Sequence, residues 1–150
     1  MMFCANLGQP LKPLARVASG GELSRIMLAF KAIAADMDDV GTMVFDEIDT
    51  GISGRMAQVV GEKMAAIGRS RQVICVTHLP QIAALGDSQH LVEKHSTDER
   101  TVTNVRTLSF EERVQELARM VGGAAQTEAT LSHAREMLNM AAALRASHSI

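Results

Sequence analysis

The chain has 150 residues, 47% of them hydrophobic, and its 15 basic and 17 acidic side chains give a net charge of −2. This length suits one domain that buries roughly 70% of its unfolded surface. The near-neutral charge excludes the strongly basic footprint of a dedicated nucleic-acid-binding domain, so any DNA contact must be local or made by other parts of a protein.

The sequence carries no sign of a membrane or secretory destination. No apolar run approaches the ~20 residues of a membrane span. The N-terminal stretch MMFCANLGQP lacks the basic start and long apolar core of a signal peptide. Cys4 and Cys75 are far apart, and Cys75 lies in an apolar run, which is typical of buried thiols in a reducing compartment. These features predict a cytoplasmic protein.

Residues 1–7 are predicted to form a short edge strand. Pro10 and Pro13 then favour an extended connector, because each proline biases its predecessor away from the helical conformation.

The first predicted helix opens at Ser19 and runs to about Asp36. Ser19 and Glu22 have the spacing of a capping box. The same helix start suits an anion, because Gly20 and Gly21 let a phosphate approach the exposed N–H groups and the helix dipole favours negative charge. From the residues alone, both interpretations stay open: a structural helix cap and an anion-binding site. The apolar residues of this helix predict a stripe packed on a sheet: Leu23, Ile26, Met27, Phe30 and Ile33.

The chain is organised around the stretch 42–54, TMVFDEIDTGISG. Its apolar run, residues 43–45, predicts a buried strand of a parallel sheet, and it ends in Asp46 and Glu47. Ligands of open α/β sheets bind beyond the carboxyl ends of the strands, where these acids would lie. Two neighbouring carboxylates there indicate Mg²⁺ binding or acid–base chemistry, unless they only cap the next helix.

A second helix–strand unit follows. Helical spacing predicts a helix over about Gly54–Ile67, with the stripe Met56, Val59, Val60, Met64 and Ile67. A second apolar strand, Gln72–Val76, ends at Thr77 and His78. A lone histidine at the ligand edge of a sheet is either a structural hydrogen-bonding group or a catalytic one. Pro80 then suits the first turn of a short helix.

The last third of the chain predicts a hairpin and two helices. His90–His95 and Thr101–Ser109 have the pattern of half-exposed strands. A second capping box, formed by Ser109 and Glu112, predicts the start of a helix. The glycines at 122–123 predict its end. The final helix is predicted over about Glu128–Ala146. The alternation of elements indicates an α/β fold with a mainly parallel core, and its two or three core strands are fewer than a usual sheet contains.

Three of these stretches resemble motifs of ATP-binding-cassette ATPases, in that family's order and spacing. The segment ARVASGGELSRIML at 15–28 is similar to the signature motif, with SGGE in place of the usual SGGQ. The strand with Asp46 and Glu47 resembles a Walker B motif, Ile48-Asp49 the start of a D-loop, and the VTH at 76–78 a switch-histidine motif.

The exact residues of these motifs indicate which group of ATP-binding-cassette ATPases the chain resembles. The chain has DEIDTGISG where a transporter subunit would have DEP followed by SALD. Together with PLKPLARVASGGELSR before it and VTHLPQIA after it, this resembles the C-terminal part of the RecN family. These are bacterial DNA-repair ATPases related to structural-maintenance-of-chromosomes (SMC) proteins. The resemblance runs from about Gly8 to about Leu144.

The resemblance implies the fold and its divisions. It implies the C-terminal half of an ABC/SMC-type ATPase head, a P-loop-NTPase-like parallel sheet with flanking helices, incomplete without its N-terminal half. Residues 1–14 would connect from a coiled coil. Residues 15–96 would hold the signature, Walker B, D-loop and switch histidine, and residues 97–150 a C-terminal hairpin and helices.

The resemblance also implies roles for the residues of the two strand ends. Asp46 would help to hold Mg²⁺, commonly through a water, and Glu47 would polarise the water that attacks the γ-phosphate of ATP. His78 would donate a hydrogen bond to that phosphate. Asp49 would lie at the interface between two heads and couple their sites.

The signature residues would act on a different nucleotide. By resemblance, Ser19, Gly20, Gly21 and Glu22 close over the ATP held by a second head, so hydrolysis would require a dimer of heads. No G-x-x-x-x-G-K-[ST] motif occurs in the sequence, so the phosphate-binding loop would come from an N-terminal half of the head.

The resulting expectation is one part of an ATP-hydrolysing protein of double-strand-break repair and recombination. Its expected partners are the P-loop half, a second identical head, and DNA bound through the full-length, nucleoid-associated protein. The chain by itself is not expected to hydrolyse ATP. Two alternatives stay open: a non-catalytic interaction or dimerisation module, and an ABC-transporter nucleotide-binding subunit, which Ile48 in place of proline disfavours.

Overall fold

A computed structural model describes residues 2–3, 12–13, 19–33, 40–96, 101–123 and 126–147. The chain divides into two compact units, Met1–His78 and Leu79–Ile150. The core segment expected from the sequence, residues 15–96, extends across this division. In the described part of the chain, the strands form three two-stranded sheets.

The first unit has a parallel strand pair at its centre. Its elements in chain order are β1 (Met2–Phe3), β2 (Lys12–Pro13), α1 (Gly20–Ile33), β3 (Thr42–Phe45), α2 (Gly54–Gly68) and β4 (Gln72–Cys75). β1 pairs antiparallel with β2, and β3 pairs parallel with β4 in the register Thr42 to Gln72. The helix α2 makes the crossover that a parallel pair requires. The two predicted strands of the parallel pair and the second helix are therefore confirmed. Of the edge strand predicted over residues 1–7, only Met2–Phe3 is described, and it is a strand. Cys4 and the predicted end of the first helix near Asp36 lie outside the described residues.

Only one face of the parallel pair is covered. Met43 and Phe45 are buried, whereas Val44 is 66% exposed, so the prediction of a fully buried strand was wrong. The buried apolar side chains among the described residues of this unit come from four segments: Leu28, Met43, Phe45, Ile48, Ala57, Val60, Met64 and Ile67.

The prediction that the apolar stripe of α1 packs on a sheet was also wrong for most of its residues. Leu23, Met27 and Phe30 are each more than 40% exposed, and Ile33 is 86% exposed, while Leu28 is buried. Helical periodicity locates an apolar face but does not say that a partner for it lies within the same chain.

The second unit contains a hairpin and three helices. Its elements are α3 (Pro80–Leu85), β5 (His90–Ser96), β6 (Thr101–Thr107), α4 (Phe110–Gly122) and α5 (Glu128–Ser147). β5 and β6 pair antiparallel from His90 with Thr107 to Ser96 with Thr101, which confirms the predicted hairpin. Three helices supply the buried cluster: Ala84, Val114, Leu117, Ala118, Ala134 and Leu138.

A buried cation holds the end of α3 in this unit. Arg113 is 8% exposed, and its guanidinium donates to the backbone oxygens of Ala83, Ala84, Gly86 and Asp87. Carbonyls at a helix end lack intrahelical donors, and a cation near them is favoured by the helix dipole. Arg113 therefore joins α4 to the C-terminal end of α3.

Cys75 is a free thiol at the end of β4. Burial, and then the charges of Asp49 and Asp46, raise its pKa to about 12, so the thiol is protonated at neutral pH. None of the helices in the described ranges is both long and apolar enough to cross a membrane.

Candidate functional site

The carboxyl ends of β3 and β4 open into one cleft within the first unit. Because the two strands are parallel, the residues that follow Phe45 and Cys75 meet at the same edge of the sheet. The cleft has a volume of about 250 Å³, and its lining residues are Asp46, Glu47, Asp49, Thr50, Val76, Thr77 and His78. Both predicted strand ends therefore contribute to a single site.

The two candidate acids lie at a strained turn. Asp46 and Glu47 are exposed, and Oδ1 of Asp46 accepts a hydrogen bond from the Glu47 backbone N–H at 2.9 Å. Glu47 has φ of 56°, in the left-handed region, where a non-glycine residue is uncommon. Such a conformation persists only where neighbouring contacts hold it, and it is found often at functional sites.

Helix α1 supplies those contacts. The Ser24 hydroxyl donates to the backbone oxygen of Asp46 at 3.0 Å. The Arg25 guanidinium donates to the backbone oxygens of Ile48 at 3.1 Å and Thr50 at 2.8 Å. Sequence reasoning missed Ser24 and Arg25, because partners more than 20 residues away leave no local pattern.

The two signature-like glycines lie against the same turn. A Cβ on Gly21 would be 2.8 Å from the backbone oxygen of Glu47 and 3.0 Å from that of Thr50, and a Cβ on Gly20 would collide with the Glu47 carboxylate. The contact at Gly21 is with backbone and requires glycine, whereas at Gly20 the flexible Glu47 side chain can move aside. The structure thus brings the start of α1 next to the candidate general base of the same chain.

Ser19 and Glu22 form the predicted capping box. The Ser19 N–H donates to the Glu22 carboxylate at 2.9 Å, and the Glu22 N–H lies 3.3 Å from the Ser19 hydroxyl that accepts from it. These two side chains therefore satisfy backbone donors at the start of α1, and neither is part of the cleft lining.

Asp49 is the buried acid of the site, at 3% exposure. Its Oδ2 accepts from the Thr77 hydroxyl at 2.6 Å and the His78 backbone N–H at 2.8 Å, and it lies 3.0 Å from His78 Nδ1. Burial on its own raises the pKa of Asp49, but these hydrogen bonds outweigh it, and the pKa lies below its ordinary value of 3.8. The carboxylate is therefore ionised at neutral pH.

Asp46 is the residue suited to hold a magnesium ion. Within the parts of the chain that the structure describes, no three His, Cys, Asp or Glu side chains come together as a ready-made metal site. Mg²⁺ is commonly held by one or two carboxylates, with phosphates and waters completing its shell. Asp46 is an exposed carboxylate that lines the cleft, which fits that pattern.

Proteins similar in sequence are DNA repair proteins. The chain is 48% identical over 95% of its length to the DNA repair protein RecN of Halalkalibacterium halodurans and 48% identical over 93% to that of Bacillus subtilis. It is 50% identical over 91% of its length to the RecN of Vibrio cholerae. The chain spans about a quarter of the length of these relatives. No family model matches the chain.

The fold is similar to that of a solved structure from a study of ATP-driven dimerization and DNA-stimulated activation of SMC ATPases. The TM-score is 0.53 at 22% sequence identity, and the match covers 79% of this chain and 70% of that one. At this identity the likeness concerns the fold alone. It confirms the predicted fold class, a partial α/β head of the SMC type.

Proposed function

We propose that this chain, which matches the C-terminal part of the RecN DNA repair proteins, supplies one portion of the ATP site of a DNA-repair ATPase. The observation that carries the proposal is the convergence of Asp46, Glu47 and His78 on one cleft at the ends of two parallel strands. Hydrolysis of a phosphoanhydride needs a cation-holding acid, a group that orients water, and a donor to the phosphate, and these three side chains are of those types.

Each residue has a distinct role in the proposal. Asp46 holds Mg²⁺, which when bound neutralises charge on the phosphates. Glu47 orients and deprotonates the attacking water, and its exposed position in the cleft lets water reach it. His78 contacts the terminal phosphate. The signature residues 19–22 contact the ATP of a second head, for which the exposed Ser19 and Gly20 are accessible.

The proposed site is completed by other protein segments. The cleft, at about 250 Å³, is smaller than the roughly 300–1,000 Å³ of typical small-molecule pockets. The sequence also contains no phosphate-binding loop. We therefore propose three partners: a segment that bears a P-loop, a second copy of the head, and DNA contacted by the longer protein during repair in the bacterial nucleoid.

Calorimetric titration of Mg·ATP into the 150-residue chain tests the division of the site. The proposal predicts no detectable binding by the chain alone, and binding once the P-loop segment is present. Clear binding by the chain alone would show that it has a complete nucleotide pocket, and the proposed division would then be wrong.

Glu47→Gln tests the catalytic role. In the assembled protein we expect ATP binding to persist while kcat falls by about 10²–10⁴, the usual effect of removing a general base. Glu136→Gln, an exposed change on α5, is the matched control and should leave turnover unchanged. Equal turnover by the Glu47 variant and the control would contradict the assignment.

A further inference from the structure

The environment of Asp49 differs from that of the other acids in the cleft. Asp46 and Glu47 are exposed, whereas Asp49, three residues after Asp46, is 3% exposed. Burial of a charge is costly unless hydrogen bonds compensate for it, so a buried carboxylate at a turn requires partners.

Among the described residues, the distant partners of the Asp49 carboxylate come from the end of the neighbouring strand. One oxygen, Oδ2, receives the Thr77 hydroxyl and the His78 backbone N–H, and the His78 Nδ1 lies 3.0 Å away. The contact of the backbone N–H fixes the main chain of His78, and the contact of Nδ1 orients its imidazole ring. Two attachments to one oxygen leave the ring little freedom to rotate.

The contact also determines which ring nitrogen carries a proton. An unprotonated Nδ1 at 3.0 Å would set its lone pair against those of the carboxylate oxygen, so the contact favours the tautomer in which Nδ1 carries the proton. In the neutral ring, Nε2 is then the unprotonated nitrogen. Since the His78 side chain is 73% exposed, Nε2 is the ring nitrogen that remains accessible to a ligand.

We propose that Asp49 is a positioning residue that fixes the orientation and the Nδ1–H tautomer of His78, so that Nε2 is presented to the ligand of the cleft. This role operates within one chain, whereas the resemblance implies a contact of Asp49 with a second head. The nature of the ligand, a nucleotide phosphate, rests on the proposed function, but the control of the tautomer does not.

The arrangement has a consequence for phosphate recognition. A phosphate oxygen accepts hydrogen bonds, so Nε2 contacts it favourably only when that nitrogen also carries a proton. A hydrogen bond from Nε2 to a phosphate therefore requires a proton on both ring nitrogens.

Nitrogen NMR of histidine rings tests the proposal without any nucleotide. The protein is labelled with ¹⁵N-histidine and recorded at about pH 8.5, well above the usual histidine pKa of ~6.5, so that neutral tautomers are observed. His78→Gln identifies the signal of His78 among the five histidines. We expect this ring to show the Nδ1–H tautomer.

Two substitutions of Asp49 supply the comparison. Asp49→Ala removes the acceptor, and we expect the His78 signal to change to the Nε2–H tautomer that unconstrained imidazole favours. Asp49→Asn keeps an oxygen without the charge, and since charge-assisted bonds are roughly twice as strong as neutral ones, we expect a mixed population. The signals of His90, His95 and His133 should stay as in the parent protein and report that the chain is folded.

Thr77→Val is the matched control, because it removes a different partner of the same carboxylate. It should leave the Nδ1–H tautomer in place. The proposal is overturned if the parent protein shows Nε2–H, or if the tautomer is the same with Asp, Asn and Ala at position 49. An inactive assembled ATPase with an unchanged NMR result would instead contradict the proposed function alone.

Discussion

At the scale of single residues, the conformation of Glu47 connects the candidate chemistry to its support. A non-glycine residue with φ of 56° carries roughly 1–3 kcal/mol of strain unless its surroundings compensate. Here Ser24 and Arg25 bind the backbone on both sides of Glu47, and Gly21 packs against its carbonyl oxygen. The start of α1 therefore acts as the support that holds the proposed general base.

Gly21→Ala should disrupt this support. The new methyl group would lie 2.8 Å from the Glu47 oxygen, and because that contact is with backbone, the turn must move. We expect the free energy of unfolding to fall by about 1–3 kcal/mol, as for other overpacked sites. Urea denaturation measures this change, and ATP turnover of the assembled protein should fall with it.

The control for this substitution is Gly68→Ala at the end of α2. Nothing lies within 4 Å of a Cβ at that position. Replacing such a glycine usually stabilises a protein by about 0.4–1 kcal/mol, through the entropy of the unfolded chain. If the two variants unfolded at the same urea concentration, close packing at Gly21 would not be the reason for its glycine.

At the scale of elements, the two capping boxes show how helix starts are specified. Ser109 and Glu112 exchange both hydrogen bonds at the start of α4, as Ser19 and Glu22 do at the start of α1. At α4 the capping box also stabilises the ionised carboxylate of Glu112. The Ser109 N–H and hydroxyl, followed by Arg106, lower the pKa of Glu112 from 4.5 to about 2.

This pKa predicts a pH dependence for α4. A carboxyl whose pKa is lowered on folding stabilises the protein above its unfolded value, and that stability is lost as the pH falls through the folded value. We expect Glu112 to contribute fully above about pH 4.5 and progressively less down to about pH 2. Glu112→Gln should therefore lower the urea midpoint at pH 6, and the difference from the parent should shrink toward pH 2.

The variant Glu93→Gln distinguishes the contribution of the helix cap to stability from that of an ion pair with Arg106. Glu93 lies 3.7 Å from the same Arg106 but caps no helix, and exposed ion pairs contribute little to stability. We expect it to change the midpoint much less than Glu112→Gln does. A pH-independent difference between the parent and Glu112→Gln would contradict the role of the ionised cap.

At the scale of the whole molecule, the first unit leaves apolar surface uncovered. Val44, Ile74 and Val76 lie on one face of the β3–β4 pair and are 46–66% exposed. Four apolar residues of α1 are exposed as well: Leu23, Met27, Phe30 and Ile33. This sheet also has fewer strands than the sheets of most domains, and no further strand pairs with β3 or β4 among the described residues. Surfaces of this kind associate with other chains unless something covers them.

We therefore expect the chain alone to self-associate. Light scattering after size exclusion should give a mass that rises with concentration. Val44→Thr combined with Ile74→Thr should lower that mass, because both changes place a hydroxyl on the exposed face. Val105→Thr on β6, 64% exposed in the parent, is the control for a scattered surface valine. A monodisperse monomer at all concentrations would contradict the expectation.

Local sequence patterns determined most of the elements. Helical spacing and the Ser–Glu pairs located α2, α4, α5 and the start of α1 to within a few residues, because caps and periodicity act over three or four positions. The apolar runs that end in Asp46 and His78 were sufficient to predict two strand ends at one site. The motifs there also predicted the resemblance to RecN proteins that the sequence comparisons show.

Tertiary structure alone decided which faces are buried and how the acids differ. Periodicity marks an apolar stripe, but whether α1 or Val44 is covered depends on which other segments are present. Asp46 and Asp49 are the same residue type three positions apart, and only contacts across 28 and 29 residues make Asp49 the buried partner of His78. Burial and hydrogen bonding between distant segments are properties of the packed chain, so they leave no pattern in the neighbouring sequence.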